Sequence, residues 1–226
     1  MLVCHFFLKR LALRGALALA CSLFVSTAQA ATFHGEFFDI NTRSMSIAQA
    51  RAAIDGVSPT ATFESTAIDY PNNTQNSGSS NQTLSQFLGV DAASIVGNGN
   101  ATITTSVFRF TGFIDLVPGA HTFAVGSDDG FQLVLNNQVV STRSAPRGFR
   151  FTTTTSNPGS GRMPVELIYY ENFGRTGVEF FIDGVLATPA VISLPGTASL
   201  SALGLGALVV MSRRRKLRQK TLAPAA

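Results

Sequence analysis

Two adjacent acidic residues, Asp128 and Asp129, are the strongest candidates for metal chemistry in this sequence. They lie in the segment Gly126-Ser127-Asp128-Asp129-Gly130, between a strand predicted to end near Val125 and one predicted to begin at Phe131. Side chains alternate faces along regular β backbone, so adjacent aspartates share an ion only if the chain reverses sharply or their peptide is cis. The flanking glycines permit such a reversal. Oxygen-only ligands suit Ca²⁺, although the same residues also fit an ordinary turn.

A second loop carries further oxygen donors. It has the sequence Tyr169-Tyr170-Glu171-Asn172-Phe173-Gly174-Arg175-Thr176-Gly177 and joins two other predicted strands. Asn172 offers a neutral side-chain oxygen, and the carbonyls around Gly174 are predicted to be exposed. Phe173 is either an aromatic platform for a sugar or a loop residue that covers the edge of the core. This loop strengthens the case for a cation site.

The residue patterns of common enzymes are absent from the sequence. Glu166 and Glu171 are five residues apart on one predicted strand, so they face opposite sides and do not form a glycosidase pair. His34 and His121 have no Cys or His at metal spacing, which argues against zinc. There is no Gly-x-Ser-x-Gly elbow and no glycine-rich phosphate loop with a lysine. The sequence therefore predicts a protein that is not an enzyme.

The elements that must position these loops are predicted to be β-strands. From residue 101 onward, apolar residues alternate with less apolar ones, as in antiparallel strands with one buried face. The alternating positions are Val107, Phe110 and Ile114; Phe123 and Val125; Phe131, Leu133 and Leu135; Val165, Leu167 and Tyr169; and Val178, Phe180 and Ile182. Many short strands predict an all-β, antiparallel fold, either a jelly-roll-like β-sandwich or a β-barrel, with most of the 18 phenylalanines in its core.

Turn and helix signals separate the strands. Asn136-Asn137 and Pro118-Gly119 predict turns, because Asn and Gly tolerate positive φ. Met45–Ile54 and Leu84–Leu88 predict short helices. Asn72–Asn81 has no apolar residue and predicts a long surface loop.

The positive charge of the chain is concentrated at its ends. The formal net charge is +4, but nine of the 17 basic residues lie before residue 31 or after residue 212, where there are no acidic residues. Residues 31–212 therefore hold eight basic and all 13 acidic residues, and a nucleic-acid partner is not expected. Three arginines around a predicted turn, Arg143, Arg147 and Arg150, are interpreted as a solvated charged loop, with a ligand site as the alternative.

Residues 1–30 predict a cleaved signal peptide. Basic residues precede an apolar run from Ala16 to Val25, and Ala28-Gln29-Ala30 supplies the small residues of a signal-peptidase site. Cleavage after Ala30 would remove both cysteines, Cys4 and Cys21, so the mature chain would contain no disulfide. The protein is therefore expected to be exported.

The C-terminal segment predicts a single transmembrane helix. Val191–Met211 is an apolar stretch of 21 residues, long enough to span a bilayer. The basic cluster that follows it would stay on the cytoplasmic side: Arg213, Arg214, Arg215 and Lys216.

This tail, over residues 190–226, resembles the PEP-CTERM sorting signal, in which a short proline motif precedes a membrane span and an arginine cluster. Pro195 matches the first proline of the motif, whereas Gly196 and Thr197 stand where glutamate and a second proline are usual. The resemblance implies processing by an exosortase-type membrane enzyme in bacteria that make extracellular polysaccharide. The stretch Leu194-Pro195-Gly196-Thr197 also resembles the sortase substrate pattern.

Residues 31–189 resemble the protective-antigen (PA-14) domain, a secreted β-sandwich of adhesins, glycosidases and toxins. The matching segments occur in family order: Phe33-His34-Gly35-Glu36-Phe37-Phe38, Phe110-Thr111-Gly112-Phe113-Ile114, Gly119-Ala120-His121-Thr122-Phe123, Ser127-Asp128-Asp129-Gly130-Phe131-Gln132-Leu133 and Val165-Glu166-Leu167-Ile168-Tyr169-Tyr170-Glu171.

The resemblance to PA-14 lectins implies a Ca²⁺ site and a role for it. Asp128 and Asp129, joined by a cis peptide, would bind the ion with Asn172 and the carbonyls of Gly174 and Thr176. The ion would then bind the vicinal hydroxyls of a terminal sugar, with Phe173 as a candidate stacking platform. The expected function is calcium-dependent binding of an extracellular glycan or exopolysaccharide at the cell surface or outside the cell. The alternative is a non-catalytic structural protein of the polysaccharide matrix.

Overall fold

The computed structural model describes residues 30–71 and 78–191. Most of the predicted signal peptide and, apart from its first residues, the predicted sorting tail lie outside these residues, including Pro195, Arg213, Arg214 and Arg215. Ala30, at the predicted cleavage site, is exposed. Among the residues that are described, no helix has both the length and the apolar character needed to span a membrane. Residues Ala30–Val191 form one unit.

The described residues are mainly β-strands, which confirms the predicted fold class. The strands are β1 Phe33–Asp39, β2 Ala61–Ser65, β3 Asp69–Tyr70, β4 Gly78–Ser79, β5 Val96–Gly97, β6 Ser106–Leu116, β7 His121–Asp128, β8 Gly130–Leu135, β9 Gln138–Arg143, β10 Arg150–Ser156, β11 Gly161–Glu171, β12 Arg175–Ile182 and β13 Val185–Leu186. All the strand pairs are antiparallel.

The strands form two sheets of a β-sandwich. The larger sheet has the order β5-β2-β1-β6-β11-β8-β9, and the smaller has the order β10-β7-β12-β13, with β3 and β4 also paired to β12. Strand β7 of the smaller sheet runs into β8 of the larger sheet with only Asp129 between them. The candidate metal pair therefore lies where the chain crosses from one sheet to the other.

The two-residue alternation in the sequence matches the buried face of most of the long strands. Val107 of β6 is an exception: it belongs to a second buried cluster on the outer side of the larger sheet, and Phe108 faces the core instead. In β11, Val165, Leu167 and Tyr169 face the core, whereas Glu166 on the opposite face reaches Arg51. The core contains stacked rings, such as Phe108 with Phe110 at 6.1 Å and Phe108 with Tyr169 at 5.7 Å. Each aromatic pair of this kind contributes about 0.5–1.5 kcal/mol beyond its buried area. Most phenylalanines of the described residues are buried, as predicted.

Two short helices pack outside or between these strands. Helix α1 spans Ile47–Ile54, two residues shorter than predicted, because the Ser46 side chain accepts a hydrogen bond from Gln49 N and caps the helix there. Its buried face packs on the outer side of the larger sheet, in a second cluster that includes Tyr170. Helix α2 spans Leu84–Leu88, as predicted, and begins with a capping box at Thr83.

The predicted turns lie between strands, with one difference in the polar loop. Asn136 and Asn137 have φ of 49° and 62° and form the β8–β9 turn, and Gly119 has a φ of 136° between β6 and β7. Of the predicted loop Asn72–Asn81, residues 72–77 lie outside the described part. Gly78–Ser79 form β4 instead of loop, because they pair with the start of β12.

Strand register brings four strand ends to one edge of the sandwich. Gly177 of β12 is opposite Asp128, and Tyr170 of β11 is opposite Gly130. The end of β7, the start of β8, the end of β11 and the start of β12 therefore meet. Both loops singled out in the sequence lie at this edge.

Candidate functional site

The backbone around Asp128 and Asp129 is fixed by close packing. A cis peptide bond joins the two aspartates, as the resemblance to PA-14 lectins implied. At Gly130, a Cβ atom would lie 2.5 Å from the Tyr170 ring and 2.7 Å from the Arg143 carbonyl oxygen, so only glycine fits. The Tyr170 ring and the Arg143 carbonyl therefore hold the backbone next to the pair against the end of β11.

Backbone N–H groups from two loops hold both carboxylates. Asp129 Oδ1 accepts a hydrogen bond from Arg147 N at 3.2 Å, and its Oδ2 accepts one from Asn172 N at 3.0 Å. Asp128 Oδ2 accepts one from Phe149 N at 3.1 Å. The aspartates are only 7% and 8% exposed. Burial raises the pKa of Asp129, and the hydrogen bonds from Asn172 and Arg147 oppose that rise.

The buried hydroxyl of Tyr169 ties the pair to the core. Its oxygen is 2.5 Å from the Asp128 carbonyl oxygen, 2.7 Å from Thr176 Oγ1 and 3.1 Å from Glu171 Oε2, and it accepts a hydrogen bond from Gly177 N. A single hydroxyl proton cannot be donated to both Asp128 and Glu171. The Tyr169 hydroxyl is within reach of both oxygens and donates to one of them at a time.

Glu171 is a buried acid beside the aspartate pair. It is 1% exposed, and its Oε1 has no hydrogen-bond partner among the described residues. Burial raises the pKa of Glu171 to about 9, and the charge of Asp129 adds to this rise. Glu171 is therefore neutral at pH 7. It faces the interior, whereas Glu166 faces α1, so the two do not form an acid pair, as the sequence spacing predicted.

Asn172 lies beside Asp129, where its side chain helps to lower the pKa of that carboxyl, and the same side chain is also bonded to Ser44. Its Oδ1 accepts a hydrogen bond from Ser44 N at 2.8 Å, and its Nδ2 donates one to Ser44 O at 3.0 Å. This pair of bonds fastens the loop after β11 to the loop before α1. One lone pair of Oδ1 remains for another partner.

The other residues of the predicted ligand set lie on the same loop. Gly174 has a φ of 99°, and its carbonyl oxygen accepts a hydrogen bond from Ser80 N at 3.0 Å. Its N–H donates to Ser80 Oγ at 2.8 Å. Thr176 is fully buried, with its hydroxyl on Tyr169. The Gly174 carbonyl is therefore directed at Ser80.

Phe173 is exposed beside Asn172. It is 56% exposed, and the Arg43 guanidinium carbon lies 4.1 Å above its ring. A ring that does not enter the core is consistent with a surface platform. The alternative, in which Phe173 covers the edge of the core, does not fit this exposure.

A third loop, between β9 and β10, was not recognised from the sequence as part of the site. The interpretation of Arg147 as a solvated residue is wrong, because its Nη1 donates to Thr152 Oγ1 at 2.7 Å and its Nη2 to Ser127 Oγ at 2.9 Å. Its guanidinium also lies over the Phe131 ring. Only the spacing of arginines marked this segment in the sequence, because its contacts are made by backbone groups of residues 147 and 149.

The chemistry available at this edge is that of oxygen donors. Among residues 30–71 and 78–191, no three His, Cys, Asp or Glu side chains are grouped so that they could hold one metal ion. A cation here would bind the two aspartates and otherwise neutral oxygens. Such a donor set suits a hard cation such as Ca²⁺.

Comparison with solved structures identifies the fold. The chain is similar to the PA14 domain of the antifreeze protein MpAFP, with 22% identity, a TM-score of 0.60, and coverage of 72% of this chain and 93% of that one. It is also similar to a PA14 sugar-binding domain from an RTX adhesin, with 23% identity, a TM-score of 0.57, and coverage of 72% and 96%. No family model and no curated protein matches the sequence. The described residues have the fold of PA14 domains.

Proposed function

We propose that this chain is an exported, non-enzymatic protein that binds extracellular carbohydrate through a Ca²⁺ ion held by Asp128 and Asp129. The observation that carries the proposal is the convergence of both carboxylates at one sandwich edge, each anchored by backbone N–H groups. Both carboxylates accept backbone hydrogen bonds from the loop between β9 and β10, and a divalent cation bound by both would neutralise their charges.

The surroundings of the pair support calcium. Burial raises the pKa of Asp129, so its ionised form is disfavoured until a positive charge is nearby. The neighbouring donors are all oxygens, which Ca²⁺ prefers. Asn172 would supply the free lone pair of Oδ1. The carbonyls of Gly174 and Thr176 would complete the set after the loop turns the Gly174 carbonyl away from Ser80.

The bound ion would then recognise sugar hydroxyls. Ca²⁺ takes about 6–8 oxygen ligands, so protein donors leave coordination positions that two vicinal hydroxyls can fill. Phe173 would stack on the apolar face of the sugar ring. A solved structure with the same fold is described as a sugar-binding domain from an RTX adhesin, which agrees with this role. Glu171 is enclosed in the core, so it does not take part in binding the sugar.

The route to the surface is a separate part of the proposal. Export would use the signal peptide that ends at Ala30. The tail with Pro195 and the cluster Arg213, Arg214 and Arg215 would hold the chain in the membrane until an exosortase-type enzyme processes it. The mass of the exported protein tests this, because processing predicts a chain that begins at Ala31 and lacks the basic cluster.

A structural role in the polysaccharide matrix is the second candidate function. It is favoured by the Asn172 side chain, whose oxygen is already bonded to Ser44 N and whose nitrogen is bonded to Ser44 O. In that case the sandwich would be a spacer, and neither calcium nor a sugar would bind at its edge.

Calcium separates the two functions. Melting temperature and glycan-array binding would be measured for the full-length protein with Ca²⁺ and with EDTA. Calcium at a hundredfold excess over its Kd stabilises by about 2.7 kcal/mol, which raises the Tm by about 5–10 °C in a unit of this size. The double variant Asp128→Asn, Asp129→Asn should lose both the shift and the binding.

A control variant shows that the effect belongs to the pair. Asp115 is exposed near the opposite end of β6 and β11, so Asp115→Asn should keep the calcium shift and the glycan binding. If calcium changes neither stability nor binding in the unmodified protein, the lectin function is wrong and the matrix role is favoured.

A further inference from the structure

Arginine side chains are concentrated at the edge that carries the aspartate pair. Five of the eight arginines between residues 31 and 212 lie at this edge. The other three arginines and most of the acidic residues in this range lie elsewhere. The five, which we call the arginine rim, are Arg43, Arg143, Arg147, Arg150 and Arg175.

Strand pairing and direct contacts locate the arginine rim. Arg150 is opposite Ser127, next to Asp128, and Arg143 is opposite Phe131, two residues after Asp129. Arg175 begins β12 two residues before Gly177, the partner of Asp128. Arg43 lies on the Phe173 ring, beside Asn172. The rim therefore surrounds the carboxylates from three loops.

The arginines of the rim differ from Arg51 and Arg109 in their partners. Within the described ranges, none of them forms an ion pair with a carboxylate, whereas Arg51 pairs with Glu166 at 2.6 Å and Arg109 pairs with Glu36. Arg143 and Arg150 are exposed to solvent. Their guanidinium groups are free to bind an anion that comes from outside the chain.

The like charges of the rim arginines repel one another, and a bound anion would reduce this repulsion. Arg143, Arg147 and Arg150 lie within one eight-residue segment, and Arg147 is half-buried. Its Nε is buried without a hydrogen-bond partner among the described residues. Once a divalent cation neutralises Asp128 and Asp129, the local charge is strongly positive. An anionic ligand is the electrostatic complement of this surface.

We propose that the site prefers acidic sugars, in which a carboxylate or sulfate group contacts Arg143 and Arg150 while ring hydroxyls bind the cation. This inference rests on the proposed function and deepens it, because it names the class of glycan. The partner is an anionic extracellular polysaccharide. Arg147 positions the loop, since its backbone N–H binds Asp129 and its guanidinium crosses to β7 and β10.

Matched pairs of sugars test the preference. Glucuronate and glucose have the same ring hydroxyls and differ only in the carboxylate at C6, and galacturonate and galactose form a second pair. Each sugar, together with a 6-sulfated form of galactose, would be presented on the same surface to the full-length protein in Ca²⁺. An exposed ion pair contributes modestly, so two arginines should make the acidic member of a pair bind about three- to tenfold tighter. The difference should shrink at 1 M salt.

Variants assign the preference to the rim. Arg143→Gln with Arg150→Gln should bring the acidic and neutral members of each pair to the same affinity, without changing the calcium-induced rise in Tm. Arg162→Gln is the control, because Arg162 lies at the other end of β11 and bonds to the Ala190 and Val191 carbonyls.

The outcomes separate the two proposals. Equal binding of acidic and neutral sugars by the unmodified protein would overturn the acidic preference and leave the lectin function in place. A preference that survives in the double arginine variant would overturn its assignment to the rim. No binding of any sugar in Ca²⁺ would contradict both the proposed function and the preference that rests on it.

Discussion

Replacing Glu171 by glutamine should remove a large part of the pH dependence of stability. The folded chain raises the pKa of Glu171 to about 9, first through burial and then through the charge of Asp129. In the unfolded chain the same group titrates near its ordinary value of 4.5. Between these values the folded state keeps the proton and the unfolded state does not. The free energy of unfolding therefore falls as the pH rises, and it stops falling above the folded pKa.

The magnitude follows from the size of the pKa difference. Each pH unit in this window costs about 1.4 kcal/mol for one proton, so the chain should lose about 4 kcal/mol between pH 5 and pH 8 through Glu171. Glu171→Gln has no proton to lose. The variant and the unmodified chain should therefore have similar stability near pH 5, apart from a constant offset, and diverge steadily as the pH rises.

Urea denaturation at half-unit steps from pH 5 to pH 8.5 measures this difference in slope. The experiment uses EDTA, because a bound cation would stabilise the carboxylates and hide part of the effect. Asp129→Asn is a second variant: loss of the charge that raises the pKa of Glu171 should end the fall in stability at a lower pH. Parallel stability curves for the unmodified chain and Glu171→Gln would refute the assignment of a buried, protonated acid beside the pair.

Two further substitutions probe the anchoring of the site and its surface. Tyr169→Phe removes the hydroxyl that contacts Asp128 O, Thr176 Oγ1 and Gly177 N, so the free energy of unfolding measured in urea should fall by about 1–3 kcal/mol. The control is Tyr170→Phe, which removes one hydrogen bond to Ser144 O. A loss for Tyr169→Phe that is no larger than the loss for the control would contradict this anchoring role. Phe173→Ala should weaken glycan binding about three- to tenfold and leave calcium affinity unchanged, as measured by titration calorimetry, since the ring is 56% exposed and supplies no oxygen to the cation. Equal glycan affinity would remove Phe173 from the site.

Much of the fold could be predicted from the sequence because burial imposes a period of two on each strand. The positions of Val165, Leu167 and Tyr169 follow this period and lie in the core. The turn at Asn136-Asn137 was predictable because few residues tolerate positive φ at consecutive positions. The location of Asp128 and Asp129 at a chain reversal also followed from local sequence, since regular backbone would have separated their side chains.

The partners of the site residues could not be predicted, because they come from distant segments. Asn172 is bonded to Ser44, which is 128 positions away in the chain. The backbone N–H groups of Arg147 and Phe149 bind the two aspartates, and a backbone group leaves no signature in residue type. Glu171 lies in the second loop that the sequence analysis identified, but its burial and its raised pKa depend on how the two sheets close over it.

The proposed function requires Asp128 and Asp129 to share one divalent cation. Crystals of the protein grown in calcium chloride, with diffraction data at a wavelength where calcium scatters anomalously, test it directly. We expect one anomalous peak at about 2.3–2.6 Å from an oxygen of each aspartate. A well-ordered site with no anomalous peak between the two carboxylates would contradict it.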